Sequence, residues 1–144
     1  MAHVTRNNSK LTLEGAEAAL SAAKAHAISI GVPMNIAVVD DGGHLMAFAR
    51  MDGAKLSSIH IAINKAHAAA IRRQPTGPAR GGDEVSVLLS LGLAIASHAN
   101  QTPIRGGLPL EANDQCVGGI GVSAGTEDQD VEVARAGVAA FSKS

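Results

Sequence analysis

Arg50 and Asp52 stand two positions apart at the end of the apolar run Leu45-Met46-Ala47-Phe48-Ala49. Residues two apart on a strand share a face. A guanidinium there is a permanent bidentate clamp for a carboxylate, and the nearby Asp adds acid/base capacity. The competing role is an Arg–Asp pair that orders the loop after the strand. Lys65 completes the candidate catalytic set, with a solvated or interface ammonium as its plainer role.

Three histidines are candidates for holding a cofactor. His60 and His67 fall beside the apolar stripe of one helix, two turns and roughly 10.5 Å apart. That span is awkward for joint metal ligation, so no metal centre is expected. Either alone suits an axial ligand or a proton carrier near neutral pH. A boundary histidine bonded to the backbone is the alternative for each. His26 sits at the edge of an earlier helix's stripe and carries the same pair of readings. Gly106-Gly107 allows a ligand to approach the backbone closely. Gly118-Gly119-Ile120-Gly121 lies inside a strand, so it is not a dinucleotide fingerprint, which needs a strand–turn–helix setting.

The elements that must place these residues follow from periodicity. Thr12 caps a helix over 13–30, with Leu13, Ala16, Leu20, Ala23, Ala27 and Ile30 at helical spacing. Strands over 34–40 and 44–50 flank Asp41-Gly42-Gly43, a hairpin signal. Asp40 therefore lies at the turn and Arg50 and Asp52 at the far end. A helix over 55–73 carries the stripe Leu56, Ile59, Ile63, Ala66 and Ala70, with Lys65 opposite. Ile61 on that polar side suggests a face that meets another subunit. Residues 74–83 read as a loop, and 84–98 as a helix apolar enough to be well buried. Strands follow near 103–105, 108–111 and 116–123. Thr126 and Gln129 form a capping box for a last helix over 127–142, whose early acids complement the helix dipole. The order α-β-β-α-α-β-β-β-α gives an α+β fold with an antiparallel sheet.

Composition narrows the function classes. With 144 residues, residues 1–10 read as a flexible leader and 11–144 as one domain. A net charge of −1 argues against nucleic acid and anionic membranes. A single Cys, Cys116, excludes an internal disulfide framework and reads as a small buried hydrophobe. Neither a signal peptide nor a spanning segment is evident, so a cytoplasmic location is expected. Trp and Tyr are absent and Phe occurs twice, so the core must be thin and aliphatic. Oligomerisation is expected to bury the remaining apolar surface.

The ordered blocks Ala37-Val38-Val39-Asp40-Asp41-Gly42-Gly43, Arg50-Met51-Asp52-Gly53-Ala54, Lys65-Ala66, Gly106-Gly107-Leu108-Pro109 and Gly119-Ile120-Gly121-Val122-Ser123 resemble the GlcG/HbpS family. That family also supplies the C-terminal domain of the PduO cobalamin adenosyltransferase. The resemblance implies a profilin-like α/β/α sandwich with a five-stranded antiparallel sheet, and a homo-oligomer up to an octamer. It implies haem binding, with haem degradation or iron handling. The alternative is an enzyme or accessory protein of diol, glycolate or aromatic-acid catabolism that binds a carboxylate-bearing metabolite. Under the haem reading, His26, His60 or His67 supplies the axial ligand and Arg50 a cation for the propionates. The family's usual Gly-Val-Ser-Gly is Gly121-Val122-Ser123-Ala124 here.

Overall fold

Asn35–Asp40 is buried at nearly every position and apolar over its middle four, a pattern that a strand adopts when both its faces are covered. The structure, a computed structural model, describes residues 3–143 and places this strand, β1, inside the sheet. Residues 1, 2 and 144, which belong to the expected leader and domain, lie outside the described residues. The first helix, α1, is Leu13–Ser29, and the Thr12 hydroxyl accepts from the Gly15 amide as its cap. Strand β2 is Leu45–Arg50, α2 is Ile59–Arg72 after a 3-10 turn at Leu56–Ser58, and α3 is Val87–Ala96. A two-stranded ribbon, β3 (Arg80–Gly81) and β4 (Glu84–Val85), precedes α3. Strands β5 (Gly107–Ala112) and β6 (Gln115–Ser123) lead into α4, Glu127–Ser142. The Thr126–Gln129 capping box forms as the sequence anticipates.

The main sheet is antiparallel, in the order β2-β1-β6-β5. Among the described residues it has four strands, not the five expected. The missing strand is the one anticipated near 103–105. Pro103 has no amide to give a ladder, and the Ile104 amide turns back to the Thr102 hydroxyl. That segment is the return path from α3, not a sheet member.

The two faces of the sheet are covered differently. Helices α1 and α4 pack together on one face, over Ile36, Val38, Leu110, Ile120 and Val122. Helix α2 covers the other over Ala37 and Val39, using Ala62, Ala66 and Ala70. A Cβ at Gly121 would stand 2.1 Å from the Ala62 carbonyl oxygen, and one at Gly119 2.4 Å from that of Ala66. The glycines of β6 thus let α2 lie almost directly on the sheet backbone. Such close packing gives many dispersion contacts from little side-chain area.

This contact also corrects the expected stripe of α2. The buried positions are Ala62, Lys65, Ala66, Ala68, Ala69 and Ala70, while Leu56 is 68% exposed. Ala66 and Ala70 of the expected stripe are buried on the glycine floor, Ile63 packs half-buried at its margin, and Leu56 turns outward. The second correction concerns α3. Its apolar sequence led to an expectation of burial, yet only Ser90 among its residues is buried. Helix α3 lies on an excursion, residues 77–105, that leaves and rejoins the sandwich without covering the sheet.

Candidate functional site

The hairpin does what its sequence suggests. The Asp40 carboxylate accepts from the amides of Gly42 and His44, which fixes the turn. Arg50 is at the opposite end, paired in register with Asn35. Arg50 and Asp52 share a shallow cavity of about 420 Å³ with Lys24, Ile28 and Met51. The loop-ordering Arg–Asp pair does not form. Among the described residues neither Arg50 nor Lys24 has an ion-pair partner, so two cations stand beside one carboxylate in the open.

Lys65 is elsewhere. Its residue is 1% exposed, and its ammonium donates to the Val122 carbonyl and to Asp130 Oδ2, each at 2.9 Å. The solvated lysine of the sequence reading is therefore corrected to a buried one. Asp130, 3% exposed, takes the Gly125 amide on its other oxygen. Burial pushes the Asp130 carboxyl above its ordinary range, and the Lys65 and Gly125 hydrogen bonds pull it back. In the sequence this aspartate is one of the early acids of α4 that complement the helix dipole. Nothing in a separation of 65 positions signals that it meets Lys65.

Gly106 and Gly107 belong to the same cluster. A Cβ at Gly106 would meet the Val122 oxygen at 2.7 Å and Lys65 Nζ at 2.9 Å. One at Gly107 would meet the Lys65 carbonyl at 2.3 Å. The two glycines let the returning chain cross the Lys65–Asp130 pair. Gly107 and Thr76 also bond reciprocally: the Thr76 amide gives to the Gly107 carbonyl, and the Gly107 amide to the Thr76 hydroxyl. This is the neck of the 77–105 excursion.

The three histidines have three different environments. His26 Nε2 lies 2.9 Å from Glu132 on α4, a contact at the protein surface. His60 is exposed near the start of α2. His67 packs against the hairpin turn, with Nδ1 3.0 Å from the Gly43 carbonyl. A carbonyl can only accept, so Nδ1 is the donor to it, and in the neutral ring Nε2 is the nitrogen with the lone pair. That Nε2 is buried and has no hydrogen-bond partner. Half-buried Phe48 and Ile63 pack on the cluster of Ala37, Val39, Ala62, Ala66 and Ala70 between α2 and the sheet. Helix α2 lies over β1, β5 and β6, which leaves edge strand β2 at its margin. Cys116 is half-buried; its thiol points to the Ala70 and Gly118 carbonyls, and burial raises its pKa. It lines a polar cavity of about 590 Å³ with Asp41, Arg73 and Glu111, and none of the expected site residues lines it.

This fold and these blocks match a family model described as haem degrading protein HbpS-like, over residues 11–139. The chain belongs to that family. It is 37% identical over 134 residues to an uncharacterized 15.0 kDa protein from the dhaT-dhaS intergenic region of Citrobacter freundii, covering 92% of this chain and 93% of that one. The crystal structure of Klebsiella pneumoniae protein ORFY superimposes with a TM-score of 0.88 at 31% identity, covering 99% and 97%. The crystal structure of a PduOC:haem complex is similar at a TM-score of 0.80 and 26% identity, covering 92% and 95%. No helix among the described residues is long and apolar enough to cross a membrane.

Proposed function

We propose that the protein is a cytoplasmic, homo-oligomeric haem-binding protein in which His67 supplies the axial ligand. The observation that carries this reading is the orphaned Nε2 of His67. Its other nitrogen is committed to the Gly43 carbonyl, the outer-shell arrangement that orients an imidazole toward a metal. Phe48 and Ile63 offer apolar contact at the open margin of β2. His60, two turns back along α2, would supply a polar partner for a propionate. Nε2 is closed to solvent, so the ring or the hairpin turn must shift to admit iron. The haem-bound relative supports the class of ligand. Bound haem would bring an iron centre for ligand or redox chemistry, and haem breakdown is the further step that the family description suggests.

Titration with hemin tests this. A saturable, red-shifted Soret band is expected, abolished in His67→Ala and retained in His26→Ala and His60→Ala. An unchanged band in His67→Ala would remove the assignment of the ligand, and no saturable band at all would remove the function.

The cavity at Arg50 favours a second reading, a small carboxylate metabolite held between Lys24 and Arg50 with Asp52 beside it. Under that reading Lys65 would hold Asp130 and the Gly106-Gly107 crossing in place without touching the substrate. Calorimetric titration with short 2-hydroxy acids and aromatic acids, compared with Arg50→Ala, separates this reading from the first.

A further inference from the structure

The excursion from Thr76 to Gly107 has an inner and an outer side. Inside, Ser90 and Leu93 of α3 pack toward Arg72, Gln101 and Thr102. The Ser90 hydroxyl gives to the Ser86 carbonyl and takes the Ala79 amide. Asn64 of α2 bonds the Ala99 carbonyl, and Arg105 pairs with Asp128. The excursion is therefore pinned to the sandwich by its inner side and its neck.

Its outer side is bare. Leu88 is 86% exposed and Ile95 77%, with Leu91 and Gly92 exposed between them. Positions 88, 91, 92 and 95 have the i, i+3, i+4, i+7 spacing of a single helix face. Nothing lies within 4 Å of a Cβ placed on Gly92, so a second helix could approach closely there. With Val85, Val87 and Leu89, the exposed apolar area is on the order of 700 Å², near the ~800 Å² that each partner gives a standard interface. Monomeric proteins rarely leave a contiguous patch of this size open.

Charge selects the occupant. From Val85 to Ile104 the chain contains no Lys, Arg, Asp or Glu. A surface of this kind complements another uncharged one, and the same helix on a second copy meets it without repulsion. We propose that the 77–105 excursion is an assembly arm, and that α3 packs antiparallel on α3 of a second copy across Gly92. The contact is isologous, so Leu88 of one copy faces Ile95 of the other. The proposal rests on the self-association in the preceding reading and assigns it a surface.

The test uses the full chain in two paired-charge variants, Leu88→Glu with Ile95→Glu, and Leu88→Lys with Ile95→Lys. Both positions are exposed, and circular dichroism checks that each variant folds. Sedimentation velocity reads the assembly. Each variant alone should sediment as a species of half the wild-type mass or less, with association weakened by about 100-fold or more because like charges face each other. Mixing the Glu and Lys variants should restore the contact. Variants that assemble like wild type would overturn the α3 interface while leaving self-association standing. Monomeric variants that fail to recombine would overturn the α3–α3 pairing. A wild type that is monomeric at every concentration would overturn both self-association and the arm.

Discussion

Helices α2 and α3 invert each other. Helix α2 buries a lysine and turns Leu56 of its entering 3-10 turn, Ile61 and Ile71 outward. Helix α3 has no charged residue and leaves four of its large apolar residues at least half exposed. A helix's own pattern would have placed them the other way round. Burial is decided by what the helix lands on. A glycine floor on β6 takes alanines and leaves Ile63 at its margin, whereas the arm gives α3 support on its inner side only. In α2 the odd residue is compensated inside the chain by Asp130. In α3 the compensation is outside it.

The largest effect should come from breaking the compensation inside α2. Asp130→Ala leaves the Lys65 ammonium buried with only the Val122 carbonyl, which should cost about 3–5 kcal/mol in urea unfolding. Burial outweighs the attraction at Asp130, which is why its carboxyl is pushed up. Replacing both partners, Lys65→Met with Asp130→Leu, should therefore recover most of that loss. If Asp130→Ala unfolds at the wild-type midpoint, the pair is not what holds α2 against α4.

Gly121→Ala tests the floor itself. The new methyl meets the Ala62 carbonyl, so α2 must lift, at a cost of about 1–3 kcal/mol or more. Next comes the turn after β6. Ala124 has φ 113°, a region costly for any residue with a Cβ. Ala124→Gly should stabilise the fold by about 1 kcal/mol, read as a higher denaturant midpoint at unchanged slope. The smallest effect sharpens the contrast with α3. Leu88→Ser should leave the stability of the separated subunit within about 0.5 kcal/mol of wild type, because that side chain touches solvent. A large loss there, measured at dilution, would mean that α3 is core after all.

Much of the architecture was legible because it rests on local signals. The Thr12 and Thr126 caps, the Asp-Gly-Gly hairpin and the bounds of α4 each depend on a few adjacent residues. The family blocks supplied the sandwich but one strand too many. What escaped were the relations between distant positions. Lys65 meets Asp130, Gly119 and Gly121 meet α2, and Thr76 meets Gly107, and no spacing rule links any of these. The candidate site shows the same division. Arg50 and Asp52 fall at one strand end as the pattern implied, while the distinction among His26, His60 and His67 needed the Gly43 carbonyl and the silent Nε2.

The register of the central ladder bears on how the chain is made. Residues 35–40 pair with 118–123, so the middle of the sheet joins strands separated by most of the sequence. On a ribosome the β1–β2 hairpin must wait, one edge unpaired, until β6 emerges. The uncharged segment of α3 also emerges before β6 does. Such non-local closure makes folding slow, on the millisecond-to-second scale typical of sheets built this way. The nascent chain is therefore most exposed to aggregation and to chaperones after α3 has emerged and before β6 follows it.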